Sequence, residues 1–374
     1  MLMDNQRSDR PDCRTVFVAR ELRRHDIDIA ALQETRLADE GQMTEVGGGY
    51  TFYWKGRYAK DHRLYGVGFA VKNELVKHMD HLPVGISDRL MTLQINISKN
   101  RKATLISAYA PTLMAEQDDK ELFYSALDDT VSHIPRADKV VLLGDFNARV
   151  GTDSTTWKDV IGKEGIGSIN DNGLMLFTKC AELNLVITNT LFRQKNRRKT
   201  TWRHPRSDHW HLIDYIITKQ RDLADVRVTK AINSTDSCWT DHRLVKTLLS
   251  FTLQPKQRRA KRTARPKYNV NLFNKLDVKK DFQTKINARL SAEIYDQNVN
   301  STWTNLKSGI TEICEEVLGK AKRHHQDWFD ENDLEIEQLI NKRRSKFAAW
   351  QNDLRNKEKQ KAYCSIRTDV QRRV

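Results

Sequence analysis

Val140 to Val150 reads V-V-L-L-G-D-F-N-A-R-V. Four consecutive apolar residues between Lys139 and Gly144 have the pattern of a short strand buried on both faces. At its carboxyl end the chemistry switches to Gly144-Asp145-Phe146-Asn147. A strand end is a rigid mount, and it aims a carboxylate and a carboxamide with little residual freedom. From there Asp145 can accept a proton from water while Asn147 orients that water or a substrate oxygen. Gly, Asp and Asn are also turn formers, so a plain turn is the competing reading of these residues taken alone.

Working outward, other strands have the same character. Ile27 to Leu32 reads as a strand running into Gln33-Glu34-Thr35. Tyr50 to Trp54, Tyr65 to Lys72, the alternating Leu93 to Ile97, and Ala103 to Tyr109 follow, the last stopped by Ala110-Pro111. Further strands are expected at Leu185 to Asn189, Thr200 to Arg203, Leu212 to Ile217 and Leu244 to Phe251. Helices are expected over Pro11 to His25 (Val16, Ala19 and Leu22 on one face), over Glu116 to Ile134 (Leu122, Phe123, Leu127 and Val131 in one stripe), and from about Leu174 to Asn184. Strands outnumber helices, with neither a β-α-β alternation nor a pure hairpin series. The expected fold class is α/β, a four-layer α/β sandwich of two mixed β-sheets flanked by helices.

The pattern changes near Leu253. Residues 1–253 form the expected sandwich domain, and residues 254–374 a basic, mostly helical extension. Phe282 to Leu290, Trp303 to Leu318 and Leu334 to Trp350 carry apolar residues at helical spacing, and no reverse-transcriptase Y-A-D-D stands among them. That extension holds 27 Lys and Arg against 16 Asp and Glu, so it carries eleven of the chain's net +15 charges. The dense run from Lys256 to Lys267 reads equally as a solvated linker, a nuclear-import signal or a phosphate-contacting segment. The five Cys are scattered with no C-x-x-C, which argues against a disulfide framework or a zinc site. With no signal-peptide core and no apolar run long enough for a membrane span, a nuclear or cytoplasmic setting is expected, not secretion.

Five strand-end signals stand in order: Glu34 in L-Q-E-T, Tyr109 in A-Y-A-P, Asp145 and Asn147 in G-D-F-N, Asp214 in L-I-D-Y-I, and Asp241-His242 in T-D-H-R. Asp214 lies between Ile213 and Tyr215, where a carboxylate is costly unless paired. Together with Y-G-V-G-F, S-A-Y-A-P, T-T-W-R-H-P and T-D-H-R-L-V, the set resembles the endonuclease/exonuclease/phosphatase superfamily, which includes DNase I and the apurinic endonucleases. Within it the motifs are most similar to endonucleases of RTE-type non-LTR retrotransposons and to the craniofacial development protein 2-like group. The later D-W-F-D-E-N-D, Asp327 to Asp333, resembles the segment that follows the nuclease in those elements and leads toward a reverse transcriptase.

The resemblance implies a DNase I-like fold and Mg²⁺-dependent endonucleolytic hydrolysis of DNA, with Mn²⁺ as a possible substitute, no small-molecule cofactor and no membrane partner. It implies that Glu34 holds the metal with Asp241 nearby, and that Asp145 activates or positions the attacking water. Asn147 would orient that water and the phosphate, and Tyr109 would hydrogen-bond a phosphate oxygen. His242 would stabilise charge on the phosphate, with Asp214 fixing its tautomer. Asn172 in N-D-N-G and Asn189 in I-T-N-T are weaker candidates for phosphate contact or support. Arg198, Trp202, Arg203 and His204, within a run that also holds Arg197, Lys199 and Arg206, interleave bases with an aromatic. That pattern suits a loop along a nucleic-acid backbone, while the competing reading is an exposed hairpin with Trp202 in the core.

The family pattern also implies a first strand ending in W-N-V, whose Asn sits beside the metal. The chain opens M-L-M-D-N, and nothing apolar precedes Asn5 to make such a strand, so that strand and its Asn are expected to be absent. Two further functions therefore stand beside the endonuclease: a catalytically weakened nucleic-acid or chromatin binder, and a phosphatase of small phosphoesters.

Overall fold

The computed structural model describes residues 13–45, 47–58, 60–62, 64–98, 101–233, 241–251, 268, 272–273, 276–292, 299–319, 333–353 and 356–373. The expected absence of a first strand, the basic run from Lys256 to Lys267, and all of the D-W-F-D-E-N-D segment except Asp333 lie outside them.

In chain order, helix α1 (Cys13–Arg24) precedes strands β1 (Ile29–Gln33), β2 (Glu40–Glu45), β3 (Tyr50–Lys55) and β4 (Val67–Lys72). The single turn α2 (Asn73–Val76), β5 (Val84–Gly85), β6 (Leu90–Ser98), β7 (Arg101–Tyr109), α3 (Gln117–Ser132) and β8 (Lys139–Asp145) follow. Next come β9 (Val150–Gly151), β10 (Ile166–Ile169), α4 (Asp171–Glu182), β11 (Leu185–Ile187), β12 (Trp202–Arg203), β13 (Trp210–His211) and β14 (Asp214–Lys219). The series ends with β15 (Val226–Ile232), β16 (Leu244–Leu249) and helices α5 (Leu276–Ala292), α6 (Val299–Val317), α7 (Asp333–Gln351) and α8 (Lys357–Arg373).

One sheet has the order β11-β14-β8-β7-β6-β5 and the other β1-β4-β3-β2, with β15-β16 as a separate pair. Among the described residues, the first is mixed, through the parallel pair β7-β8, and the pairings of the second are antiparallel, a correction to the expectation of two mixed sheets. The two sheets pack face to face through Tyr53, Phe69 and Val71 of one against Leu93, Leu105 and Val141 of the other. Helices α3 and α4 cover the outer face of the six-stranded sheet with Phe123, Leu127, Leu176 and Phe177. Helix α1 covers the outer face of the four-stranded sheet with Ala19 and Leu22. The layers are therefore helix, sheet, sheet, helix, the α/β sandwich read from the sequence.

Each departure from the sequence reading has a local cause. Leu122 is 72% exposed, because α3 turns Phe123, Tyr124, Leu127 and Val131 inward instead. The segment after β11 leaves the strand at Thr188 for a short 3-10 turn that buries Thr188, Asn189 and Thr190. The segment expected as one strand from Leu212 to Ile217 starts regular pairing only at Asp214, next to the short hairpin β12-β13. Strand β2 (E-G-Q-M-T-E) has too few apolar residues to signal a strand, and it lies at a sheet edge where polar side chains are tolerated.

The chain divides into two compact units, residues 1–256 together with 328–374, and residues 257–327. Helices α7 and α8 belong to the first unit and share a core of Trp350, Tyr363 and Ile366. Helices α5 and α6 belong to the second and pack on one another.

Candidate active site

Three neighbouring strands of the mixed sheet end at one level. Tyr109 on β7 is the register partner of Asp145 on β8, and Asp145 is the register partner of Asp214 on β14. Sheet spacing of about 4.8 Å per strand then sets a hydroxyl and two carboxylates side by side without any loop. Gly144 makes the approach possible: a Cβ there would stand 1.9 Å from the Ala108 carbonyl oxygen of β7. The invariant spacing of the sheet leaves no room for a side chain at that point, which explains the Gly in G-D-F-N better than a turn does.

Past Asp145 the backbone turns sharply. Asn147 adopts φ 47°, its N–H donates to Asp145 Oδ1 at 2.9 Å, and its Nδ2 donates to the Ala110 carbonyl at 2.9 Å. Asn172 is buried, and its Nδ2 donates to the carbonyls of Asn147 and Pro111, both at 3.1 Å. Of the two uses expected for Asn172, the geometry fits support of the Asn147 turn. Asn189 is likewise buried: Nδ2 donates to the Asp214 carbonyl at 3.1 Å and Oδ1 accepts from the Ile216 N–H at 2.9 Å. Both ends of that amide bond β14, so Asn189 holds the strand. Thr201, which the sequence reading did not single out, completes the grip by accepting from the N–H groups of Ile213 and Asp214.

The fourth member comes from the other sheet. Glu34 stands just past β1 with φ 50°, a left-handed conformation that a Glu adopts only when its surroundings impose it. The Tyr109 hydroxyl donates to Glu34 Oε1 at 2.6 Å, and Arg36 lies 3.3 Å from Oε2. The Tyr109 hydroxyl is thus engaged by Glu34, in place of the phosphate contact expected from the sequence. Arg89 packs over the Tyr65 ring at 3.8 Å and donates to the Tyr109 carbonyl at 3.2 Å, so Tyr109 is held from both ends.

His242 closes the group. Its Nδ1 lies 2.9 Å from Asp214 Oδ2 and 3.1 Å from Oδ1. A β-bridge between Trp202 and His242 fixes its backbone, and the Trp202 indole N–H donates to Asp241 Oδ2 at 2.8 Å. Trp202 is half-buried and packs near His204, His211 and His242, so it serves as a wall of the site. Glu34, Tyr109, Asp145, Asn147, Asp214 and His242 all line one cavity of about 620 Å³.

The charges in that cavity are strongly coupled. Burial pushes the Asp145 carboxyl up, Asp214 and Glu34 push it the same way, and His242 and the Asn147 N–H only partly offset them. Burial alone would lower the His242 pKa, but the charge and hydrogen bond of Asp214, then Asp145 and Asp241, raise it to about 10. The imidazole is therefore held as a cation at neutral pH. Ligand atoms of Asp145, Asp214 and His242 lie within 4.8 Å of one another. Within this trio Nδ1 of His242 is already taken up by Asp214, which leaves the carboxylate oxygens to meet a cation. The carboxylate oxygens lining the cavity, Glu34 and Asp241 among them, outnumber its cations and fit a divalent ion that prefers oxygen. Asp241 lines the same cavity as Glu34, and its Oδ2 accepts from the Trp202 indole N–H.

The chain matches the model of the endonuclease/exonuclease/phosphatase family over residues 1–242. The chain belongs to this family. Craniofacial development protein 2 of Bos taurus is 30% identical over 297 residues, which cover 78% of this chain and 47% of that protein. Its counterpart in Tragulus javanicus is 32% identical over 247 residues, covering 65% and 41%. The chain thus spans less than half the length of these curated relatives. Similar solved structures include the AP endonuclease LMAP from Leishmania major, with TM-score 0.46 and 15% identity over 63% of this chain and 82% of that one. Another is the endonuclease domain of TRAS1, a telomere-specific non-LTR retrotransposon, with TM-score 0.43 and 15% identity over 63% and 92%.

Among the basic residues expected to meet nucleic acid, the structure separates two groups. Arg198 is exposed on the loop before β12. Arg203 is engaged: its Nη2 lies 2.7 Å from Asp208 Oδ1, and its guanidinium lies over the Trp350 ring at 4.6 Å. His204 Nδ1 accepts from the N–H groups of Arg206 and Ser207, capping the hairpin turn. One family-motif residue went unassigned in the sequence reading, Arg243 of T-D-H-R. It is 8% exposed, donates to the carbonyls of Arg197 and Thr200, and stacks on Trp210 at 3.4 Å. Its place next to His242 was the available signal.

Proposed function

We propose that the chain is a divalent-metal-dependent DNA endonuclease that hydrolyses a phosphodiester within the 620 Å³ cavity. The observation that carries this reading is the geometry around His242: its Nδ1 lies 2.9 Å from Asp214 Oδ2, and Asp214 is the register partner of the buried Asp145, a placement that favours an imidazolium and raises the Asp145 carboxyl. A carboxylate raised in this way is a better base for water, and an imidazolium beside it stabilises negative charge growing on phosphate oxygens. Glu34 would hold Mg²⁺, or Mn²⁺ in its place, with Asp241 on the wall of the same cavity, and a bound cation would supply further charge at the phosphate.

In this scheme Asp145 takes the proton from the attacking water. Asn147, fixed by its own N–H to Asp145 and by Ala110, orients water and phosphate. Asp214 keeps Nδ1 of His242 as the inward donor, so the other ring nitrogen faces the substrate. Tyr109 orients Glu34. The exposed bases near Arg198 supply backbone contacts to DNA.

Nicking of supercoiled plasmid in Mg²⁺ tests the proposal. Wild-type protein is expected to convert plasmid to the open circle, and Asp145→Ala and His242→Ala each to lose about 10²–10⁴ of that rate. Nicking by either variant at the wild-type rate would refute it. Release of phosphate from small phosphoesters, with plasmid left intact, would replace the endonuclease by a phosphatase.

A further inference from the structure

Hairpin β12-β13 has two residues per strand, too few to stand without external support. Alternation gives it two faces. Trp202 and His211 are cross-strand partners and look toward His242, while Arg203 and Trp210, also cross-strand partners, look the other way. That second face is gripped from two directions. Trp350, near the end of α7, lies under the Arg203 guanidinium at 4.6 Å and is itself stacked on Tyr363 of α8, with centroids 5.4 Å apart and planes 17° apart. Arg243, which follows His242 in the chain, lies over Trp210 at 3.4 Å, and its Nη2 donates to Gln351 Oε1 at 3.3 Å.

The grip is built to be rigid. Trp350 is 5% exposed and Arg243 8%. The indole N–H groups of Trp210 and Trp350 find no hydrogen-bond partner among the described residues. Each ring has a face against a guanidinium, a contact that strengthens when desolvated, and Trp350 is also backed by Tyr363 and Phe347. About two turns before Gln351, α7 is tied to α1 by an ion pair between Arg344 and Glu21.

We infer that the carboxyl end of α7, through Trp350 and Gln351, is a positioning clamp for the hydrolytic site. It sets the β12-β13 hairpin and Arg243, and through them the Trp202 wall and His242. Helices α7 and α8 then belong to the working unit of the nuclease and are not a separate basic tail. This inference rests on the proposed hydrolysis for its kinetic readout, but the geometry it asserts can be read without turnover.

The experiment uses the full chain and the variants Trp350→Ala, Trp350→Tyr and Gln351→Ala. In plasmid nicking with Mg²⁺, Trp350→Ala is expected to lower kcat by about 10–100-fold, the scale of a small misplacement of reacting groups. KM is expected to move by less than about threefold, because the exposed bases that meet the DNA backbone are untouched. Trp350→Tyr retains a stacking face and restores most of the rate. Independently, the indole N–H resonance of Trp202, which reports the bond to Asp241, shifts in Trp350→Ala and returns in Trp350→Tyr. Gln351→Ala gives the same pattern at smaller amplitude. An unshifted Trp202 resonance in folded Trp350→Ala and Gln351→Ala overturns the inference, whether or not the protein nicks DNA. So does a shifted resonance with unchanged kcat in an active enzyme. If wild-type protein does not nick, the hydrolysis proposal fails while the resonance still decides the clamp. Should Trp350→Ala not fold, Gln351→Ala and Trp350→Tyr carry the same test.

Discussion

The two sheets contribute to the site in different ways. The six-stranded sheet supplies Tyr109, Asp145 and Asp214 as register partners on adjacent strands, and Asp145 is only 6% exposed. The four-stranded sheet supplies the Glu34 carboxylate, one residue beyond β1, with a side chain 38% exposed and a left-handed backbone. The first group is placed by backbone ladders, which Asn189 and Thr201 reinforce at β14. The second is placed by a side-chain tether from Tyr109 across the sheet interface. Register is the stiffer device, because moving a strand by one residue would break an entire ladder and invert its faces.

The largest effect expected from this difference follows removal of charge inside the register group. Asp214→Asn takes away the carboxylate that keeps His242 cationic, leaving burial to lower its pKa. The rate of plasmid nicking should fall by about 10²-fold or more, and the alkaline limb of its pH profile should move toward acid. An unmoved alkaline limb would mean that His242 is not the group that must stay protonated.

Tyr109→Phe probes the tether. Glu34 loses its donor but the strand register is untouched, so a loss of about 10–100-fold in Mg²⁺ affinity is expected, with near-wild-type rate at saturating metal. Titration of nicking against Mg²⁺ measures it; equal requirements in both proteins would show that Glu34 needs no tether.

Stability gives two smaller effects. The folded state raises the pKa of Asp145, so folding disfavours its ionised form. The penalty is absent below the unfolded carboxylate range near pH 4, grows as pH rises through the folded value, and is complete above it. Asp145→Asn should therefore be more stable than wild type at neutral pH, with the gap closing toward pH 4 in denaturant unfolding. A gap that widens on acidification would contradict the sign. Asn189→Ala leaves the β14 groups at Asp214 and Ile216 without their side-chain partners, and it should cost about 1–3 kcal/mol of unfolding free energy. A change within experimental error would show that water replaces the amide there.

Much of this was legible in the linear chain. The run Val140 to Leu143 with Gly144-Asp145 after it announced a buried strand and its functional end, because burial on both faces and a polar terminus leave a local composition. The same holds for Glu34, Asp214 and His242, each next to an apolar segment. Less legible were the supports. Thr201, Arg243, Gln351 and Trp350 act on partners from about twelve to more than a hundred residues away, and nothing near them in sequence marks the partner. For Asn189 and Asn172 the sequence left phosphate contact and support both open, because exposed and buried amides have the same letter; their burial and backbone partners favour support.

By itself, then, the order of residues determined the family, the α/β layering and which polar side chains stand at strand ends, since these follow from periodicity, burial and short motifs. Only the tertiary structure decided that Tyr109 serves Glu34, that Trp202 holds Asp241, and that α7 reaches back to the hairpin. Those outcomes depend on which surfaces meet when two sheets and a distant helix pack, and pairing across such distances is set by shape and charge in three dimensions.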